Sequence, residues 1–172
     1  MDLLRNALET VCGRLNEHLQ DIDRRPDDWV SLTSLVDHAG SRNEAVRDKV
    51  VMSVYGLSQE TFLSQQPSAA DPGSGPPLHL DVHLMFLANF TERNYPDGLA
   101  ALSRVIAFFQ QTPVFTRPAE TGLAAGIERI TLDFETLAPA DVSAVMRMMG
   151  VAYLPSVFYR LRMLSYGAAE AS

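Results

Sequence analysis

The chain carries 14 basic and 21 acidic residues among 172, a net charge of −7, with 47% hydrophobic and 20% charged residues. That length and balance suit one globular domain with a core of its own. The acidic excess leaves no basic stripe to displace counterions from a phosphate backbone, so nucleic acid is not an expected partner.

Residues 3–19 predict an amphipathic helix. Leu4, Leu8, Val11, Leu15 and Leu19 recur at spacings of three and four, while Arg5, Glu9, Arg14 and Glu17 turn to water. Asp2 is suited to the N-cap. Residues 20–28, charged in both signs and holding Pro26, form a connection. Residues 29–36 alternate loosely as a first short strand, and 37–48, with Gly40, read as a loop. Residues 49–57 (KVVMSVYGL) are rich in β-branched side chains and predict a second strand. Residues 58–77 end in SAADPGSGPP and predict a long mobile loop.

Residues 78–90 alternate cleanly. Leu78, Leu80, Val82, Leu84, Phe86, Ala88 and Phe90 fall on one face, and His79, Asp81, His83, Met85, Leu87 and Asn89 on the other. This is a long strand with one face in the core. A helix follows over 96–111, opened by Pro96 and closed by Pro113. On a helical wheel Tyr95, Leu99, Leu102, Val105, Ile106 and Phe109 share the apolar side. Phe108 falls off that stripe, leaving it to a second layer or to a partner. Residues 116–125 form a loop and 127–137 (IERITLDFETL) a strand. A short helix over 139–149 has Pro139 in its first turn and Gly150 as its cap. The last strand spans 152–166, with Val157, Tyr159, Leu161 and Met163 alternating against Phe158, Arg160, Arg162 and Leu164.

No repeat or internal boundary divides the chain. The order of elements predicts the α/β (α+β) class: one domain over 1–166, a mixed, mostly antiparallel sheet with helices mainly on one face, and a short flexible tail at 167–172.

Residues able to carry chemistry are sparse. Cys12 is the one cysteine. It excludes an internal disulfide and makes the cytoplasm the default compartment. At the edge of the first helix's stripe it reads as a small core residue rather than a nucleophile. The start of the chain mixes charge with apolar residues, unlike a signal peptide, and no apolar run is long enough to cross a bilayer, so direct membrane insertion is not expected. His79, Asp81 and His83 share one strand face. A rise of ~3.3 Å per residue sets the histidine backbones roughly 13 Å apart, too far for one zinc with bonds of ~2 Å. The favoured reading is a solvated or partner-facing strand face, with no metal. Asp81 with one histidine and a distant third ligand stays open as the alternative. Phosphate-loop, dinucleotide and serine-elbow patterns are missing, so no catalytic residue and no cofactor are expected. Arg160 and Arg162 project beside Phe158, either as a solubilising face or as an interface, where arginine and aromatics are enriched.

The order of motifs resembles one family. VVMSVYGL is followed by PPLHLDVHLMFLANF, a helix reading LSRVIAFFQQTPVF, then IERITLDFETL and YLPSVFYRLRML. Over about 1–166 this is similar to the cap, or tail-terminator, proteins of contractile injection systems, the phage-tail-like particles of bacteria. The resemblance implies a structural, non-enzymatic role. It implies an α/β domain in a six-fold ring that ends the inner tube and anchors the sheath, with copies of itself, the tube protein and the sheath protein as partners. The particle is assembled in the cytoplasm and can be released. For such a ring the interface residues expected are Phe108, Phe158, Arg160 and Arg162, with the loops around Pro72 and Thr116. A small-ligand or metal-binding α/β domain, and an adaptor subunit of the same particle, are the competing readings.

Overall fold

The computed structural model describes residues 2–60 and 77–166. The expected loop tip, including Pro72, and the tail at 167–172 lie outside the described residues. Three helices and six strands run in the order α1 (Leu3–Ile22), β1 (Val30–Leu32), β2 (Lys49–Gln59), β3 (Leu78–Asn89), α2 (Tyr95–Gln111), β4 (Val114–Thr116), β5 (Arg129–Glu135), α3 (Pro139–Met148) and β6 (Ser156–Tyr166). They form one mixed sheet ordered β1-β2-β3-β6-β5-β4, antiparallel at every pairing except β1 with β2.

The helical periodicity of α1 buries Ala7, Leu8, Val11, Cys12, Leu15 and Leu19. Asp2 precedes the helix but makes no side-chain capping bond. On the same side of the sheet, α2 packs Val105, Phe108 and Phe109 into a core with Val82, Leu84 and Phe86 of β3. Phe109 stands 5.4 Å from Phe86 and 4.8 Å from Tyr159, ring centre to ring centre.

The buried arc of α2 is turned from the one its periodicity predicts. Tyr95 and Leu99 are each 46% exposed and Ile106 37%, whereas Phe108 is 4% exposed, 5.0 Å from the His18 ring of α1. The cause is the neighbouring helix. α1 lies along one flank of α2, with Arg104 reaching Asp23 at 3.6 Å, so residues on that flank are covered and those on the opposite flank are not. Gly98 belongs to the buried arc for a steric reason: a Cβ there would meet the Phe90 side chain at 3.0 Å.

The opposite face of the sheet holds a second core. α3 sets Val145 and Met146 against Val51, Met85, Leu87 and Phe158. Strand β3 is therefore buried on both faces over its second half, not on one. Gly150 ends α3 at φ +72°, a conformation that glycine adopts freely.

A bulge in β6 shifts the last strand's alternation. Leu80 pairs with Leu164, but Val82 pairs with Leu161, so β6 has one more residue than β3 across this gap. Leu164 is thereby returned to the first core with Leu161, at 1% exposure, instead of sharing a face with the arginines.

The edges of the sheet are finished differently. At β1, the side chain of Asn16 accepts from Val30 N–H at 2.8 Å and donates to Val30 C=O at 2.9 Å. Helix α1 thus covers that edge. At the other edge β4 is three residues long and pairs only with Arg129, Ile130 and Thr131 of β5.

Candidate functional site

Alternation along four strands places polar side chains on the part of the second face next to the α3 core. The sheet brings together residues far apart in sequence. Arg162 of β6 donates to Glu60, just past β2, from Nη2 at 3.0 Å and Nε at 3.2 Å, and to Asp133 of β5 at 3.4 Å. Arg160 lies 3.6 Å from Asp81 of β3. Toward α3, His83 bridges Ser58 at 2.7 Å and Glu135 at 3.2 Å, and the Tyr55 hydroxyl donates to Glu135 at 3.3 Å. The face is a lattice of matched charges rather than a free cationic patch.

Burial sets its electrostatics. Asp81 is 3% exposed, and its Oδ1 has no hydrogen-bond partner. Burial, then the adjacent Glu60, push its carboxyl above the ordinary carboxylate range, and Arg160 and Arg162 oppose that rise only in part. Burial also works against the charge of Arg162, but its bonds to Glu60 and Asp133 outweigh it and keep the guanidinium firmly protonated. Burial and the Glu135 carboxylate push the Tyr55 hydroxyl up to about 12. On the first face, burial pushes the Cys12 thiol up to about 11, which suits a core residue and not a nucleophile.

The histidines of β3 are held apart. His79 bonds Ser165 at 2.6 Å, while His83 is engaged with Ser58 and Glu135. Among the described residues no group of three His, Cys, Asp or Glu is placed to hold a metal ion, and no helix is long and apolar enough to cross a membrane.

The residues expected at an interface separate into two groups. Phe108 and Phe158 are 4% and 5% exposed, one in each core, so their rings are structural and not offered to a partner. For Phe158 the reason is α3, whose place on the second face periodicity does not reveal. The side chains of Arg160 and Arg162 keep 40% and 35% of their surface, and Thr116 is partly exposed at the end of β4. An exposed aromatic escaped the sequence reading. Phe134 alternates as a core residue of β5 yet is 58% exposed, because the helices stop short of it. Nothing in the sequence marked it, because its exposure depends on which elements cover that part of the sheet.

The chain is an α/β domain built on one mixed sheet with helices on both faces and one edge covered by α1. A solved structure described as the sheath/tube terminator of an extracellular contractile injection system, PVC, in its extended state matches it with a TM-score of 0.56 and 14% identity, over 97% of this chain and 58% of that one. The likeness is one of fold, and this chain spans a little over half the length of that protein. No curated protein matches the sequence. The family model of the Pvc16 N-terminal domain matches residues 7–172, and the chain belongs to that family. The tail-terminator resemblance carried by the sequence motifs is thereby confirmed at the level of family and fold.

Proposed function

We propose that this chain is a structural, non-catalytic component of a contractile injection system that caps the end of the inner tube and sheath. The observation that carries the reading is the family match across residues 7–172, joined to the terminator-type fold. In this reading the chain forms a closed ring of identical copies, six-fold as its resemblance implies, and the ring halts tube growth and anchors the last turn of sheath. A ring needs contacts between two different surfaces of the same subunit, repeated about an axis. Of the residues proposed for those contacts, Arg160, Arg162 and Thr116 keep exposed surface; Phe108 and Phe158 drop out. Tube and sheath proteins are the partners. The particle is put together in the cytoplasm and can be released with the cap in place.

Electron micrographs of particles produced with and without this chain test the reading. Tails of uniform length with a closed end, becoming ragged or overlong in its absence, are the expected result. Normal tails without it, or no association with any tail, overturn the proposal.

A further inference from the structure

Glu60 and Asp81 are two acids buried on one face of the sheet, 5% and 3% exposed. Ser58 pairs with Asp81 across the β2–β3 ladder, so Glu60, two residues on, stands diagonal to Asp81 on the same face. The two carboxyls are hydrogen-bonding neighbours. Ionised carboxylates are acceptors only, so a hydrogen bond between them needs a proton on one. The charges around them call for the same proton. Arg162 is shared between Glu60 and Asp133, and Arg160 lies 3.6 Å from Asp81. Two guanidiniums thus face three carboxyls, and one proton balances them. The other groups on this face are engaged elsewhere: His79 with Ser165, and His83 with Ser58 and Glu135, which also takes the Tyr55 hydroxyl. Residues 61–77 hold no lysine, arginine or histidine, so the connection from β2 to β3 brings no further cation. Asp81 Oδ1 is buried without a partner, which suits a neutral carboxyl, because an unmatched buried charge costs far more than an unmatched dipole.

We propose that Glu60 and Asp81 hold one proton between them, and that its loss as pH rises loosens this end of the β2–β3 pairing. The proton leaves to solvent, and two buried carboxylates then face each other with like charge. Arg162 cannot answer both, because it already holds Glu60 and Asp133. The nearest weak point is the end of the ladder, where Glu60 N–H donates to His79 C=O at 2.8 Å. That end is therefore held at low pH and opens as pH rises through the upper titration step of the pair. The device belongs to the single subunit and does not rest on the capping role, so its failure leaves that role standing.

Carboxyl carbon-13 titration of the full chain reads the pair directly. Glu60 and Asp81 are expected to titrate in two coupled steps, the upper one above the ordinary carboxylate range. Amide hydrogen exchange reads the ladder. Corrected for the intrinsic rate, protection of Glu60 N–H is expected to fall by about tenfold or more between pH 4 and pH 8. Glu60→Gln and Asp81→Asn each leave the remaining carboxyl an uncharged neighbour and are expected to abolish that fall. They lie on different strands, so misfolding of one leaves the other, and the titration of the parent chain, to decide. His79→Gln is expected to retain the fall. Both carboxyls titrating within the ordinary range, or protection that stays flat with pH, overturns the proposal. A fall that survives both acid substitutions, or that vanishes in His79→Gln, overturns it too, by assigning the effect to a histidine.

Discussion

Asp81 holds a carboxyl in a face where only 3% of its surface meets water, with Glu60 as its acidic neighbour. Its raised pKa means that the folded chain keeps this proton to a higher pH than the unfolded chain does. Stability from this group is therefore present at low pH and is lost as pH rises through the folded-state value. Asp81→Asn mimics the protonated form in shape and charge. Its melting temperature, set against that of the parent chain, should improve between pH 4 and pH 7. An advantage of the parent that grows with pH contradicts the assignment. In α2, two apolar residues one turn apart differ in cost. Phe109→Ala removes a ring packed on Phe86 and Tyr159 and should cost about 3–5 kcal/mol in urea unfolding. Ile106→Ala, on the exposed flank, should cost less than about 1 kcal/mol. Similar costs for the two would restore the symmetric stripe that the sequence suggests.

Elements in this fold are joined by a few specific contacts. Asn16 satisfies both outward backbone groups of Val30 from the middle of α1. Asn16→Ala leaves the buried Val30 N–H without a partner and its C=O with only the Cys12 thiol at 3.7 Å, and should cost about 2 kcal/mol. It also opens the β1 edge, so light scattering at high protein concentration should show new self-association. Gly98 sets the seat of α2 on the end of β3. Alanine is the better helix former by about 1 kcal/mol, yet its Cβ would press on the Phe90 ring at 3.0 Å and force it to shift. Overpacking outweighs propensity, and Gly98→Ala should destabilise the chain by about 1 kcal/mol net in denaturant titration. A more stable variant would show that Phe90 yields without cost.

For the molecule as a whole, the sheet's order fixes a gradient of stability. β3 lies at its centre, paired on both sides and buried on both faces where Met85, Phe86 and Leu87 are fully enclosed. β4 is short and at an edge. Amides of β3 should exchange only on global unfolding, whereas those of β4 should exchange through local opening and respond little to denaturant.

Periodicity located α1, α2 and β3, β-branched content located β2, and the proline and glycine signals placed α3, because all of these are local properties written in consecutive residues. The same motifs carried the family. They did not decide which arc of α2 is buried, since that depends on α1 lying beside it and moves Phe108 inward while Ile106 moves out. Nor did they show that α3 crosses to the far face and covers Phe158, or that a bulge returns Leu164 to the core. The arginines of β6 were legible as a face, but their partners Glu60, Asp81 and Asp133 were not, because strands distant in sequence become neighbours only in the folded sheet.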